Sequence, residues 1–472
     1  MRLETEVCVV GAGPAGSTFA TRMAQLGHQV LLVERSPFPR PHVGEAMSPG
    51  VWDLLDLSQA RSAVEALDVA HSTGARVRWI DHYEQLIDPP IGRLGFTVNR
   101  GEFDRALLET ARAAGAAVLQ PARVTSVERT ASGWQIELSS HERTRTVRAR
   151  FLADASGRSS RFRGRRIPTS PHTIALDGLW SFDHSENFQT HIEARREGWY
   201  WGAHLPGRTY RAMAFIDPDL LRQHQISKPG LDAFYRKLLS RTRILSALEA
   251  PHLKEPVMAR DATCYFETTP IDSTSIKLGE AAFAIDPLSS SGVQKALQTA
   301  LTGSVAINTI LKGGDAAAAI DFYLDNHRRS VTQHAEWATS HYSEHRQNKG
   351  GSFWLRRARQ PSSTDRQHSR ANAKEYRGEP VRLAPKVRLV RVPCAVGDRV
   401  EMHEAFFHPA MARPIAFVNG IDVAPLVAGL ATAAAGYSDF GSPWSPNEPH
   451  AAIISWLVRH GVLETASPSF QG

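Results

Sequence analysis

The spacing of apolar and polar residues changes several times along the chain, and each change predicts a different kind of element. Residues 6–34 read as an apolar strand, a glycine-containing turn, a helix and a second apolar strand. Strand-like runs such as TIALDGLWSFD and RAMAFIDP occur over residues 166–257 and predict a sheet there. A helical period follows over residues 315–345 and predicts a long helix.

The C-terminal part shows a separate pattern after residue 381. Residues 381–402 and 405–420 hold short strand-like runs, and residues 421–436 and 449–464 read as amphipathic helices, the second ending at Gly461. Strands followed by helices resemble a winged helix, particularly the small domains that recognise precursor peptides in peptide-modifying systems. A dimerisation or structural cap is the alternative interpretation. DNA recognition is disfavoured because PHAAIISWLVRH carries one arginine and few polar residues that could contact bases.

The net charge of +7 is concentrated in one segment. Between His345 and Leu383 the chain has ten Lys or Arg residues and three acids, an excess equal to the whole net charge. The rest of the chain is therefore formally neutral, which argues against a general nucleic-acid-binding surface. The composition of segment 346–383 predicts a solvated basic linker. The alternative interpretation is a segment that binds an acidic partner.

Length and composition limit the class of protein. A chain of 472 residues predicts two or three domains. We find no apolar run of about 18 residues and no signal-peptide pattern, so we expect neither a membrane span nor export, and a cytoplasmic location. Cys8, Cys264 and Cys394 are far apart and predict packing roles rather than a metal site.

The N-terminal glycine motif predicts dinucleotide binding. Gly11 permits a tight turn, Gly13 lets the backbone approach a pyrophosphate, and Gly16 lets the helix pack on the strand. The N–H groups at the start of this helix favour a phosphate. Glu34, at the end of the second strand, can accept the ribose hydroxyls. NAD and FAD share this motif, so the choice between them needs other residues.

Three further segments decide that choice. Residues 97–108, 151–160 and 277–294 resemble, in order and spacing, three segments of the p-hydroxybenzoate-hydroxylase-like FAD enzymes. Within that group, RPHVGEAMSP at 40–49 and GEAAFAIDPLSSSGV resemble the loops of the flavin-dependent halogenases. The resemblance covers roughly residues 1–345.

The resemblance implies FAD as the cofactor and an α/β fold: a Rossmann-type FAD-binding domain with an inserted β-sheet substrate domain, plus a small C-terminal α+β winged-helix-like domain. Glu280 stands where the family usually has Asp, and its extra methylene should still reach a ribityl hydroxyl. Arg100 is expected to neutralise pyrophosphate charge. The FAD contacts predicted by the motif and the resemblance are Gly11, Gly13, Ala15, Gly16, Glu34, Arg35, Glu45, Arg100, Val124, Asp154, Glu280, Gly292 and Val293.

Domain boundaries follow from this resemblance up to residue 345, and from charge and periodicity beyond it. The predicted order is an FAD-binding domain, a substrate domain, the completion of the FAD-binding domain, a linker and a C-terminal domain. The corresponding residues are 1–165 with a minor substrate-domain insertion near 75–95, 166–257, 258–345, 346–383 and 384–472.

Two departures from the halogenase pattern favour hydroxylation. The halogenases need a tunnel lysine some 30–35 residues after the G-E loop, whereas this chain has no lysine before Lys228. The tryptophan-acting halogenases also carry a glutamate at the position of Ser289. The resemblance then implies that oxygen passes from a flavin hydroperoxide directly to an electron-rich aromatic ring.

The stretch GWYWGAHLP at 198–206 supplies the pocket candidates. Trp199 and Trp201 can form flat walls and His204 can exchange a proton, so these three are candidate pocket residues, while no catalytic residue is identified. Strand alternation places the two tryptophans on one face of a sheet, where packing in the core is the alternative.

The layout is similar to flavoprotein monooxygenases that hydroxylate a tryptophan side chain within a protein during tryptophylquinone formation, as in maturation of quinohemoprotein amine dehydrogenase. We therefore expect an aromatic substrate, with a small protein or peptide as the best guess, and an external reductant as partners. We expect neither nucleic acid nor a membrane as a partner. The alternatives are hydroxylation or halogenation of a small or carrier-bound aromatic, reduction of an isoprenoid double bond, or a non-catalytic flavoprotein that escorts an immature partner.

Overall fold

The structure, a computed structural model, describes residues 2–465 except 81–82, 89–93, 141–142, 161, 163, 186–188, 350, 359–380, 410, 412 and 426–448. Most of the predicted basic linker and most of the helix predicted over 421–436 lie outside these residues. None of the described helices is long and apolar enough to cross a membrane.

Helices and strands alternate through the first half and strands dominate the middle. The helices are α1 Pro14–Gln25, α2 Val51–Leu57, α3 Arg61–Glu65, α4 Arg100–Ala113, α5 Pro218–Gln223, α6 Leu231–Leu239, α7 Gly292–Leu311, α8 Ala316–Lys349, α9 Ser352–Arg357 and α10 Pro449–Arg459. The strands before residue 200 are β1 Arg2–Val10, β2 Val30–Val33, β3 Ala46–Met47, β4 Val69–His71, β5 Ala75–Arg78, β6 Gln85–Ile87, β7 Phe96–Val98, β8 Ala117–Leu119, β9 Arg123–Thr130, β10 Gly133–Ser140, β11 Arg143–Asp154, β12 Arg166–Pro168, β13 Ile174–Ser181, β14 Thr190–Arg195 and β15 Gly198–Leu205. The later strands are β16 Thr209–Ile216, β17 His252–Leu253, β18 Met258–Asp261, β19 Tyr265–Glu267, β20 Ser275–Lys277, β21 Phe283–Ala284, β22 Val381–Leu383, β23 Arg388–Val396, β24 Arg399–Phe407, β25 Phe417–Val418, β26 Ile421–Asp422 and β27 Leu463–Thr465.

The chain divides into two compact units. The first covers residues 1–308 and 323–360, and the second covers 309–322 and 361–472. The finer division into five segments stays a prediction.

A seven-stranded sheet forms the core of the FAD-binding half of the first unit. Its order is β8-β2-β1-β11-β10-β9, with β20 pairing β11, and β1 runs parallel to both β2 and β11. The β1–α1–β2 crossover confirms the strand, turn, helix and strand predicted from residues 6–34. Cys8 is buried in this sheet, and burial raises the pKa of its thiol to about 12, which agrees with a packing role.

An eight-stranded sheet occupies the middle of the chain. Its order is β17-β13-β16-β15-β14-β5-β6, with β18 pairing β13. One face carries Tyr200, Tyr210 and helix α6, while the opposite face carries Trp199 and Trp201. We call the second face the tryptophan face of the substrate sheet.

Part of the predicted basic linker is an ordered helix in the first unit. Within α9, Trp354 is fully buried and its indole N–H donates to the Arg195 carbonyl at 2.8 Å. Arg357 is buried beside Asp217, with Nη1 to Oδ1 at 2.8 Å. The linker prediction is therefore wrong for residues 352–357, because the aromatic pair Phe353 and Trp354 anchors a helix within a basic stretch.

The second unit holds three described strand pairs, β22–β27, β23–β24 and β25–β26. Helix α10 packs Ile453 and Leu457 into a core with Phe406 and Val423. The helix predicted to end at Gly461 ends at Arg459, and residues 463–465 form β27, which pairs with β22. The likeness to a winged helix stays a prediction.

Candidate active site

A cavity of about 770 Å³ lies in the first unit, beside the ends of β1 and β2, the loop at 40–46, the tryptophan face and the start of α7. We call it the cleft. Eleven of the thirteen predicted FAD contacts line it, together with two of the three pocket candidates. These lining residues are Gly11, Gly13, Ala15, Glu34, Arg35, Glu45, Arg100, Val124, Glu280, Gly292, Val293, Trp199 and Trp201.

The three glycines of the N-terminal turn have different surroundings. Gly11 has a φ of +99°, and a Cβ there would lie 2.6 Å from the Ala155 carbonyl oxygen. Gly16 lies behind the cleft, where a Cβ would meet the Gly11 oxygen at 1.8 Å, so its role is packing of α1. A Cβ on Gly13 would find no atom nearer than Arg40 Nη2 at 3.8 Å, so this position faces open space at the start of α1. The backbone at Gly13 is thus open to a phosphate.

Glu34 closes the end of β2 with a fixed carboxylate. It is 5% exposed, and its two oxygens accept from the backbone N–H groups of Ala12 at 2.8 Å and Ser36 at 2.9 Å. These bonds orient the carboxylate beside the glycine turn. Its remaining lone pairs suit the ribose hydroxyls of a dinucleotide.

Two arginines converge on the same side of the cleft. Arg100 donates to the Val43 carbonyl at 2.7 Å and pairs with Asp104 at 3.0 Å. Arg40 also lies near Asp104, at 3.5 Å, and its Nε is buried with no hydrogen-bond partner among the described residues. One carboxylate thus faces two guanidinium groups, which leaves positive charge for a pyrophosphate. Sequence reasoning predicted Arg100 and missed Arg40, although Arg40 begins the quoted RPHVGEAMSP loop.

Glu45 joins the cleft loop to the substrate sheet. Its Oε1 accepts from Arg211 Nη2 at 2.7 Å, and Arg211 Nη1 donates to Asp177 at 2.9 Å. Asp177 also pairs with Arg260 at 2.8 Å. Glu45 therefore positions the loop through a buried ion network that the sequence did not indicate.

Asp154 lies behind the cleft rather than in its lining. Its carboxylate accepts from the hydroxyls of Ser156 and Ser160, each at 2.5 Å, and burial raises its pKa. The prediction of a direct cofactor contact is therefore corrected: Asp154 organises the turn after β11, because its neighbours in the same turn use its oxygens.

The start of α7 brings a helix N-terminus and two charged groups to the cleft. Gly292 and Val293 open the helix, and Ser290 before it adopts a left-handed conformation with φ +48°. Burial disfavours the charged form of Glu280, but Arg158, 3.4 Å away, and Lys295 lower its pKa overall. Lys295 is 2% exposed and donates to the Phe283 carbonyl at 2.5 Å. It was missed because its place three residues into a helix indicates nothing special.

Lys295 should make stability depend on pH. Burial lowers the pKa of its ammonium from 10.5 to about 8, although Glu280 opposes the shift. The Lys295 ammonium therefore loses its proton at a lower pH in the folded protein than in the unfolded chain. Burying the charged group lowers the free energy of unfolding by its full amount below pH 8, and by less as the pH rises from 8 to 10.5. We expect Lys295→Met to stabilise the protein relative to wild type at pH 7, with the difference shrinking by about 3 kcal/mol towards pH 10.5.

Urea unfolding of both proteins at pH 7, 8, 9 and 10 measures the difference in their unfolding free energies. The titration of every other group is shared by the two proteins and cancels in this difference. A difference in unfolding free energy that stays constant across the series would contradict a depressed pKa at Lys295.

The tryptophan face contributes two indoles to the cleft. Trp199 is 1% exposed and stacks on Phe215, with centroids 3.9 Å apart and planes inclined by 10°. The indole N–H groups of Trp199 and Trp201 are both buried without a hydrogen-bond partner among the described residues. Buried donors normally find an acceptor, so these two N–H groups lack a partner that such groups usually have.

His204 is not a pocket residue. Alternation along β15 places it on the opposite face from Trp199 and Trp201, in contact with Phe182 and Tyr210. Its Nε2 lies 2.6 Å from the Ser185 hydroxyl, and burial lowers its pKa to about 4. It is a packed histidine, which corrects its candidacy.

The residues of the cleft fit FAD. The open backbone at Gly13 and the two helix N-termini suit a pyrophosphate and the electron-rich edge of a flavin. Arg40 supplies an orphaned buried donor, and Glu34 supplies a fixed acceptor.

Comparison with known proteins agrees with this geometry. The FAD-binding domain family FAD_binding_3 matches residues 4–201. Residues 4–201 therefore carry an FAD-binding domain, and the chain is similar to FAD-dependent monooxygenases and halogenases. These enzymes are oxidoreductases, and FAD is their cofactor.

Three relatives illustrate the similarity. The tryptophan 2-halogenase of Chondromyces crocatus is 29% identical over 68% of this chain, which spans 64% of that protein's length. The flavin-dependent halogenase CmlS shares the fold with a TM-score of 0.78 at 21% identity, covering 98% of this chain and 96% of the other. The peptidyl tryptophan dihydroxylase QhpG has a TM-score of 0.74 at 24% identity, covering 97% and 99%.

Proposed function

We propose that this protein is a monooxygenase that hydroxylates an aromatic ring, and that the ring is a tryptophan side chain in a small protein or peptide during formation of a tryptophylquinone cofactor. The observation that carries the proposal is the lysine content of the cleft. The chain has no lysine before Lys228, and Lys295 is the one lysine among the described residues that line the cleft.

Lys295 does not replace the tunnel lysine of the halogenases. Its ammonium is buried and donates to the Phe283 carbonyl at 2.5 Å, with the ring of Phe283 4.6 Å from Nζ. It lies on α7, whereas the halogenase lysine belongs to the segment after the G-E loop. The group that would hold or steer a hypohalous acid has no equivalent, which favours oxygen transfer to the ring.

The tryptophan face suits an aromatic polypeptide substrate. Trp199 and Phe215 form a stacked, rigid wall that excludes water, and the free indole N–H groups of Trp199 and Trp201 can donate to a carbonyl of the substrate. Similarity in fold to QhpG along nearly the whole chain supports a peptidyl tryptophan as the substrate.

Bound, reduced FAD supplies the activation of molecular oxygen that this reaction needs. One oxygen atom enters the ring as a hydroxyl and the other leaves as water, with electrons from an external reductant. The chain holds the ring against the wall, keeps water out, and fixes the cleft loop through Glu45 and Arg211.

The test incubates the purified protein with a reductant, oxygen and the small proteins encoded beside its gene, and follows each polypeptide by mass spectrometry. We expect a mass gain in steps of one oxygen atom, located on tryptophan by fragmentation. A parallel incubation with bromide separates the second candidate, halogenation, which the tryptophan 2-halogenase relative favours. Bromination of the substrate would overturn the proposal.

Trp201→Phe should lower kcat/KM for the polypeptide substrate and leave the affinity for FAD unchanged. Loss of one donor to substrate is expected to lower kcat/KM by about fivefold, since such a bond contributes about 1 kcal/mol. The matched control is Trp180→Phe, because Trp180 is equally buried on the opposite face of the same sheet and donates to Tyr235 instead. Equal effects of the two substitutions on kcat/KM would show that the N–H of Trp201 has no role in substrate binding.

A further inference from the structure

A second cavity, of about 250 Å³, lies on the substrate sheet and is lined by charged side chains. We call it the arginine cavity. Its charged and titratable lining residues are Arg76, Arg78, Glu84, His191, Glu193 and Arg243. Arg76 and Arg78 come from β5, and His191 and Glu193 come from β14, with Arg76 paired to His191 and Arg78 to Glu193 across the strands.

Guanidinium groups outnumber carboxylates in the arginine cavity. Glu84 accepts from both Arg76 Nη1 and Arg78 Nε, each at 2.7 Å. Glu193 pairs with Arg195, a further arginine beside the cavity. Arg243 has no carboxylate within ion-pair distance among the described residues. The cavity therefore retains positive charge after its internal pairs are formed.

His191 adds an independent sign of a missing partner. It is 7% exposed, and its Nδ1 lies 3.3 Å from both the Ile244 carbonyl and the Tyr210 hydroxyl. Its Nε2 is buried and has no hydrogen-bond partner among the described residues. A buried ring nitrogen normally has a partner, and a neighbouring anion would favour the imidazolium, in which both nitrogens donate.

The arginine cavity lies on the opposite face of the sheet from the flavin cleft. Strand alternation puts Ile192 on the tryptophan face and His191 and Glu193 on the other. The nearby edge is β6, which pairs β5 alone among the described strands and exposes Leu86 opposite Arg76. A polypeptide that contacts both faces would pass around this edge, where it meets an exposed aliphatic side chain beside a cationic cavity.

We propose that the arginine cavity binds a carboxylate of an acidic side chain in the polypeptide substrate, as an anchor on the far side of the sheet from the reacting ring. The proposal rests on the proposed function for the identity of the partner. Arginine recognises a carboxylate with paired N–H donors, and Arg76 and Arg243 line the cavity together with His191, whose imidazolium form also donates.

The test measures binding without chemistry. Two fluorescein-labelled decapeptides of alternating leucine and aspartate, or leucine and asparagine, are titrated with the FAD-loaded protein, and anisotropy is recorded. We expect the aspartate peptide to bind about tenfold more tightly than the asparagine peptide. The double variant Arg76→Gln/Arg243→Gln should lose this preference, because it removes two of the guanidinium groups that line the cavity. Glu84 keeps a partner in this variant, because Arg78 remains to pair with it.

The matched control is Arg241→Gln, an exposed arginine two residues from Arg243 that pairs with Glu197 at 3.1 Å and does not line the cavity. It should keep the preference for aspartate. No preference in the wild type, or a preference retained in the double variant, would overturn the proposal.

Free succinate separates the two sources of a carboxylate. If succinate displaces the labelled peptide at concentrations similar to unlabelled aspartate peptide, the cavity serves small carboxylates and the assignment to a polypeptide is wrong. Because the assay needs no oxygen or reductant, failure of the hydroxylation reaction with binding intact would count against the proposed function alone.

Discussion

Valine in place of Gly13 is expected to weaken FAD binding by about 100-fold or more while leaving the protein folded, since a side chain there fills the space of a charge-assisted phosphate contact. The structure separates these two effects. A Cβ at this position meets no protein atom closer than 3.8 Å, and the backbone angles, φ −71° and ψ −176°, suit any residue. The loss at the start of α1 should be about 1 kcal/mol, because valine is a poor N-cap. Flavin absorbance after gel filtration and urea unfolding of the apo protein measure the two quantities.

Gly27→Ala is the matched control and should show the opposite pattern. Gly27 follows α1 with φ +87°, and a Cβ there would have no atom within 4 Å. Alanine at this position should cost about 1 kcal/mol of stability through backbone strain. Its FAD affinity should equal that of the wild type. If Gly13→Val still purified yellow and fully loaded, the cofactor would not approach the backbone at Gly13.

Arg211→Met is expected to lower the free energy of unfolding by about 3–5 kcal/mol, because it leaves buried carboxylates without their partner. Glu45 would keep only the N–H of Gly44, at 2.9 Å, whereas Asp177 would still hold Arg260. The released cleft loop should also lower FAD affinity. Urea unfolding with and without FAD measures both effects.

A second substitution tests whether the uncompensated charge is the cause. Glu45→Gln combined with Arg211→Met should recover most of the lost stability, since neither partner then carries a charge. Arg105→Met is the control, because its pair with Glu102 is solvent-exposed and should matter by less than about 1 kcal/mol. Equal losses for Arg211→Met and Arg105→Met would contradict a buried network.

The glycine turn shows what local patterns predict well. Gly11, Gly13 and Gly16 each act over a few residues, through backbone angles and close approach, and the structure places all three as a strand, turn and helix require. The acid at the end of the second strand followed from the same local spacing. Likewise, alternation along β15 placed Trp199 and Trp201 on one face.

The features that the sequence did not indicate depend on contacts between distant segments. Glu45 and Arg211 are 166 residues apart, and nothing near either residue marks the pair. His204 was misplaced because it was grouped with Trp199 and Trp201 by proximity in sequence, although strand alternation alone puts it on the opposite face. Arg40 and Lys295 carry charges whose use depends on burial and on the elements packed against them.

The sequence by itself determined the dinucleotide-binding turn, because that turn depends on residue identity at short spacing. The choice of FAD and the missing tunnel lysine followed from the resemblance of several segments to known FAD enzymes. Tertiary structure alone decided that Trp199 and Trp201 line the cleft and that their buried indole N–H groups have no partner among the described residues, and that α9 packs as a helix inside a basic stretch. It also brought β5 and β14 together to form the arginine cavity. The physical reason is that burial, charge compensation and orientation arise only when segments far apart in the chain are packed against one another.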